Sequence, residues 1–195
     1  MRTRLRQALT KKLQKLFWVY HTNNFIITRM SDCNMVSPAT ACEFTPITSD
    51  NCVRARDFRD DNRVSEYRGK LARGEIGYFA ELAGTMAGSI WATINKEQIP
   101  TVVRTYMRLA PNEALIHDIV TGEKFRGKGV APFMVGCISS TLLNDYRVSK
   151  IIIDVNVTNK PSLRMMDKAH VPMKQEVLYI SALGSLIFQK VLKEY

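Results

Sequence analysis
Residues 123–136, EKFRGKGVAPFMVG, set two glycines one residue apart between cations and then pass directly into small and apolar residues. The apolar segment ALIHDIVT (114–121) precedes this stretch, and an apolar helical pattern, APFMVGCISSTLL, completes it. A turn whose backbone N–H groups converge cradles an anion best when a helix begins at once and adds its unpaired first-turn donors. The expectation is a strand, a phosphate-holding turn over Arg126, Gly127, Lys128, Gly129, Val130 and Ala131, and a helix through about Asn144. A Walker loop is excluded because no G-x-x-x-x-G-K-[ST] is present, and a dinucleotide fingerprint because the third glycine is missing.

The remaining pattern fills in around this unit. CEFTPIT (42–48) reads as a short strand, and a charged helical region runs from about Asn51 to Arg73, broken near Asn62. YFAELAGTMAGSIWATI reads as two strands joined around Ala83 and Gly84. KIIIDVNV (150–157) is a β-branched run suited to a sheet covered on both faces. NKPSLRMMDKA begins a helix with Pro161 in its first turn, and the end supplies two apolar strands around Gly184. Residues 95–113 show no readable period.

Charge divides the chain. Residues 1–30 carry seven cations (Arg2, Arg4, Arg6, Lys11, Lys12, Lys15, Arg29) and no acid, so the formal charge of +10 leaves a body of 21 basic against 18 acidic residues. Such a balanced body, without basic and aromatic residues interleaved, argues against a nucleic-acid partner. Leu5, Leu9, Leu13, Leu16 and Tyr20 recur at helical spacing, so residues 1–41 read as a basic amphipathic helix and a linker ahead of a domain at 42–195. That helix can pack on the domain, rest on an anionic membrane surface through residues 1–20 with Phe17 and Trp18, or act as a presequence. The four cysteines lie far apart with no C-x-x-C pair, so no metal site or disulfide framework is expected, and the protein reads as cytoplasmic.

RGKGVA after IVT, followed one strand later by NVTNKPSLRMMDKA, resembles the GNAT superfamily of acyl-CoA-dependent N-acetyltransferases. Arg126, Gly129 and Ala131 meet its Arg/Gln-x-x-Gly-x-Gly/Ala signature, and Asn159, Ser162 and Lys168 carry its asparagine-led helix. The resemblance covers residues 42–195. It implies a mixed α/β (α+β) fold with a mostly antiparallel sheet, helices on both faces, and fourth and fifth strands that run parallel and splay. Acetyl-CoA would lie in that gap, against the backbone of Ile119, Val120 and Thr121, with its pyrophosphate over the glycine turn and Asn159 and Ser162 nearby.

The implied reaction is transfer of an acetyl group to a primary amine of a small molecule. His117 or Asp118 would be the base, His117 by its intrinsic pKa, with alternation placing His117 on the face of Ile119 and Thr121 and Asp118 on the other. The family's general-acid tyrosine falls on Met166, which cannot donate a proton. The thiolate therefore leaves unassisted, or another residue such as Tyr179 serves, or the fold is a degenerate acyl-CoA-binding or partner-binding module. An arginine-rich set (Arg54, Arg56, Arg59, Arg63, Arg68, Arg104, Arg108) suits an acidic acceptor or else plain helical surface charge. Acceptor and oligomeric state are left open by the sequence.

Overall fold
The computed structural model describes residues 17–38, 41–103, 106–183 and 185–195. Among the described residues, ten strands and three α-helices follow one another as β1 (Phe17–Ile27), β2 (Cys42–Pro46), α1 (Asp61–Ala72), β3 (Ile76–Leu82), β4 (Thr85–Ile94), β5 (Thr101–Val103), β6 (Met107–Leu109), β7 (Glu113–Thr121), α2 (Val130–Asn144), β8 (Lys150–Asn156), α3 (Lys160–Lys168), β9 (Met173–Ala182) and β10 (Ser185–Glu194). Eight strands form one sheet in the order β10-β9-β1-β8-β7-β4-β3-β2, and β5 and β6 make a separate hairpin. Every neighbouring pair in the large sheet is antiparallel except β7 and β8. This is the mixed, mostly antiparallel sheet that the motif order implied.

Alternation along the strands separates the core. Ala114, Ile116, Ile151, Ile153 and Val155 join α2 and α3 on one face. On the other face, Leu115 and Ile152 meet the β5–β6 hairpin, while Phe79 and Trp91 meet α1. Helices therefore cover both faces. Local signals agree with the sequence reading at most ends: Asp60 caps α1 by accepting from the N–H of Arg63, and Ala83 (φ 48°) and Gly84 (φ 81°) form the two-residue turn between β3 and β4.

The largest departure is at the start. Phe17–Ile27 is a strand, not the end of a helix or a linker, and it lies inside the sheet between β8 and β9. Its polar residues hid it. Thr22 and Asn24 are buried, where the Thr22 hydroxyl donates to Asn24 Oδ1 (3.0 Å) and Asn24 Nδ2 donates to the Tyr179 hydroxyl (2.9 Å). Those bonds replace lost water, so the burial costs little. The expected cationic helix over residues 1–16 lies outside the described residues, while Tyr20, assigned to its leucine stripe, stacks on Tyr106 of the hairpin at 4.3 Å between ring centroids. The unread stretch 95–113 holds that hairpin, which covers Leu115, Ile152, Val177 and Tyr179.

Candidate active site
Strands β7 and β8 pair only from Glu113–Lys150 to Ile116–Ile153. Beyond these residues β7 continues to Thr121 and β8 to Asn156 without pairing to each other, so a V opens at His117 and Asp154. The backbone of Ile119, Val120 and Thr121 lines one arm of the opening. The Thr121 hydroxyl oxygen is buried and has no hydrogen-bond partner among the described residues.

The glycine turn stands where β7 ends. A 3-10 turn at Glu123–Phe125 leads to Gly127 (φ 79°) and Gly129 (φ 82°), both in the left-handed region that side chains resist. Gly129 caps α2, whose first-turn N–H groups at Val130 and Ala131 have no intrahelical partner. A Cβ on Gly127 would meet no protein atom within 4 Å, so the space above it is open, whereas one on Gly129 would lie 3.5 Å from Pro38 Cα. Arg126 and Lys128 are exposed beside that space, while the Val130 side chain turns into the core. Two positive-φ glycines, a helix start and an unpartnered hydroxyl fit a pantetheine diphosphate. Asn159 caps α3 by accepting from the Ser162 N–H (3.3 Å), so this pair holds the helix start.

The two proposed bases differ in their surroundings. His117 pairs with Trp91 across β4 and is nearly buried; its Nε2 lies 2.9 Å from the Thr93 hydroxyl and 3.4 Å from Glu75 Oε2. Asp118 has φ 47°, and here β7 carries one residue more than β4, a bulge between the Ser89 and Trp91 pairings. The bulge breaks the alternation assumed from sequence. It turns the Asp118 carboxylate to the α1 side, where Arg59 Nη2 (2.7 Å) and Lys70 Nζ hold it, and it puts Ile119 against the α2 face instead of beside His117. Burial pushes the Asp118 carboxyl up, but its bonds to Lys70 and Arg59 outweigh this and hold it below the ordinary value. Burial also lowers the Lys70 ammonium, against the opposing pull of Asp118 and Glu75. A carboxylate so committed is a clamp between α1 and β7 and a poor proton acceptor.

Sequence reasoning missed Glu75, Thr93 and Lys70, and named Arg59 only within the arginine-rich set, because each lies far from His117 in the chain. One signal was present for Glu75. Gly74 (φ 76°) ends α1 in a left-handed cap, with Gly74 N–H donating to Leu71 O and Glu75 N–H to Lys70 O, and this turn delivers Glu75 to the sheet.

Met166 is fully buried between α3 and the sheet, so the tyrosine position carries a packing residue. Tyr179 lies on β9, with β1 between it and β8, about 10 Å from the opening by strand spacing. Its hydroxyl is occupied by Asn24 and by donation to Met107 Sδ (3.7 Å), and burial raises its pKa. Of the arginine-rich set, Arg54 pairs with Glu81, Arg56 with Asp61, Arg59 with Asp118 and Arg63 with Glu66, while Arg104 lies outside the described residues. An open groove of about 590 Å³ runs along α1, lined by Asn62, Ser65, Glu66, Gly69, Lys70 and Arg73. Among the described residues no cluster of His, Cys, Asp and Glu could hold a metal ion, and no helix is long and apolar enough to cross a membrane.

The splayed parallel pair and the glycine turn at its mouth are the architecture of the acetyltransferase fold. The model of the Acetyltransferase (GNAT) family matches residues 41–170, and the chain belongs to that family. An N-alpha-acetyltransferase of Saccharolobus solfataricus is 27% identical over 78 residues, a match covering 40% of this chain and 42% of that protein, less than half of either. The solved structure of AAC(6')-Iy with the bisubstrate analogue CoA-S-monomethyl-acetylneamine shares 13% identity at a TM-score of 0.54, covering 68% of this chain and 92% of that one. Ribosomal-protein-alanine N-acetyltransferase from Brucella melitensis biovar Abortus 2308 gives 14% identity and a TM-score of 0.51, over 68% and 92%. At these identities the two structures share the fold with this chain.

Proposed function
We propose that the protein is an acyl-CoA-dependent N-acetyltransferase that moves an acetyl group from acetyl-CoA to a primary amine of a small molecule. The observation that carries this reading is the V between β7 and β8, which has the glycine turn at its mouth and His117 at its apex. Backbone groups of Ile119, Val120 and Thr121 would pair with the pantetheine arm. The N–H groups from Gly127 to Ala131 would take the diphosphate, with charge from Arg126 and Lys128. When bound, the coenzyme supplies an acyl carbon activated as a thioester.

His117 removes a proton from the acceptor ammonium so that a neutral amine can attack, and main-chain N–H near Ile119 offers a donor to the developing oxyanion. Asp118 fixes α1 against β7 through Arg59 and Lys70. Neither Met166 nor Tyr179 protonates the departing thiolate, because methionine has no proton to give and the Tyr179 hydroxyl is engaged by Asn24 and Met107 two strands from β8. Proton exchange with solvent suffices for a thiol whose pKa is near 8.5.

The test is thiol release from acetyl-CoA over panels of amino acids, amino sugars, polyamines and peptides, with the His117→Gln variant alongside. Acceptor-dependent release that falls about 100-fold or more in His117→Gln is expected for a lost general base. Tight acetyl-CoA binding with no release for any acceptor would instead establish the coenzyme-binding module that Met166 brings into contention. Gly127→Asn tolerates the left-handed φ of 79° and places a side chain where no protein atom stands, so it should abolish acetyl-CoA binding and leave a folded protein. Unchanged affinity would refute the placement of the diphosphate.

A further inference from the structure
One corner of the large sheet is apolar on both faces and uncovered. Trp18 and Val19 at the start of β1, Leu183 just after β9, and Ile187 and Phe188 on β10 are each between 45% and 79% exposed. They are neighbours: Trp18 pairs with Ser181 and Val19 with Ile180, Phe188 pairs with Ile180 from the far side of β9, and Ile187 is the extra residue of the bulge before Phe188. We propose that this corner docks on an anionic lipid bilayer, its five side chains entering the interface while the cations of the adjoining chain meet the headgroups.

Charge surrounds the corner without entering it. Residues 17–20 and 180–189 contain no Asp, Glu, Lys or Arg. Residues 1–16, which lie outside the described residues, join the sheet at Phe17 and bring six cations (Arg2, Arg4, Arg6, Lys11, Lys12 and Lys15) without an acid, and Lys190 follows the corner along β10. An uncharged apolar tip that includes aromatic rings and is bordered by cations suits an anionic membrane surface: the apolar groups leave water and the cations attract the headgroups.

The shape of the corner selects the occupant. Trp18 lies on the same face as Tyr20, which stacks on Tyr106 of the hairpin, and alternation puts Val19 on the opposite face, with Phe25 and Ile27. A helix or a protein laid on one face covers Trp18 or Val19 but not both. A second copy pairing along the open edge of β10 leaves both behind, because β9 separates β1 from that edge. A lipid surface met end-on receives the two faces together. Because β1 runs antiparallel to β8, the corner stands at the end of the sheet where β7 and β8 part, and docking brings that opening beside the bilayer.

The two tryptophans of the chain make the test direct. Trp91 is fully buried, so Trp18 is the one that responds to its surroundings. The full chain is mixed with vesicles of phosphatidylcholine carrying about one-third phosphatidylserine, with and without bromine on the acyl chains. It should sediment with these vesicles, and partition should fall about tenfold or more on phosphatidylcholine alone or in 1 M salt, where charges are screened beyond about 3 Å. Brominated chains should quench the tryptophan emission, and Trp18→Phe should remove that quenching while the protein still sediments. Leu183→Asn suits the left-handed φ of 50° and deletes the most exposed apolar side chain, so partition should weaken about fivefold with the fold intact.

Failure of the full chain to sediment with the anionic vesicles overturns the proposal. So does sedimentation that leaves Trp18 unquenched, since the cations of residues 1–16 then bind without the corner. Shielding of Trp18 from aqueous acrylamide before any vesicle is added also overturns it and names the occupant: a second copy if the shielding grows with protein concentration, and another segment of the same chain if it does not.

Discussion

Asp118→Asn is the sharpest perturbation of the clamp between α1 and β7. Asparagine keeps the shape and tolerates the left-handed φ of 47°, so the charge alone is removed. What remains is Arg59 and Lys70, whose side chains are 16% and 11% exposed, facing one amide oxygen. Stripping the partner from a buried charge costs about 3–5 kcal/mol when nothing compensates. Asp118 is 25% exposed and the amide still accepts one bond, so about 2–4 kcal/mol is expected, or roughly 5–15 °C in Tm for a chain of this size.

The pH dependence separates charge from packing. The folded pKa of Asp118 is depressed, so its contribution is present in full above the unfolded value of about 3.9 and is lost as pH falls through the folded value. Urea unfolding of wild type and Asp118→Asn should therefore show a constant gap from pH 7 to about 5 that closes below about pH 4. Lys70→Met should add no further loss in the Asp118→Asn background and should recover part of it, because it removes one of the charges left unpartnered. Equal stability at pH 7, a gap that persists in acid, or additive effects of the two substitutions would each refute the clamp.

Two further outcomes test the packing around the site. Gly77→Ala would set a Cβ 2.7 Å from the fully buried Trp91 ring, so urea unfolding should show a loss of about 1–3 kcal/mol. Met166→Tyr, which restores the residue that the resemblance calls for, should destabilise by about 1–3 kcal/mol through overpacking, and thiol release should not rise because the position faces the core.

The glycine turn was legible because its constraint is local: a left-handed backbone, a helix start and flanking cations lie within a dozen consecutive residues, and each acts whatever the rest of the chain does. The β-branched run at 150–157 and the Ala83–Gly84 turn declared themselves for the same reason. So did the order of elements, and with it the parallel pair of β7 and β8. Other features depended on partners distant in sequence. Phe17–Ile27 has no clean alternation, and becomes a strand because Tyr179, 155 residues beyond Asn24, supplies the hydrogen bond that lets a polar residue be buried. The bulge at Asp118 needs Arg59 and Lys70 to hold its carboxylate, and a one-residue insertion reverses which face each later side chain occupies. The glycine turn proposed to hold an anion could be read from sequence, since it needs only backbone conformation and a helix end. That Asp118 is held by two cations while Glu75 stands beside His117 was decided by the sheet and α1, which bring residues distant in sequence to these two positions.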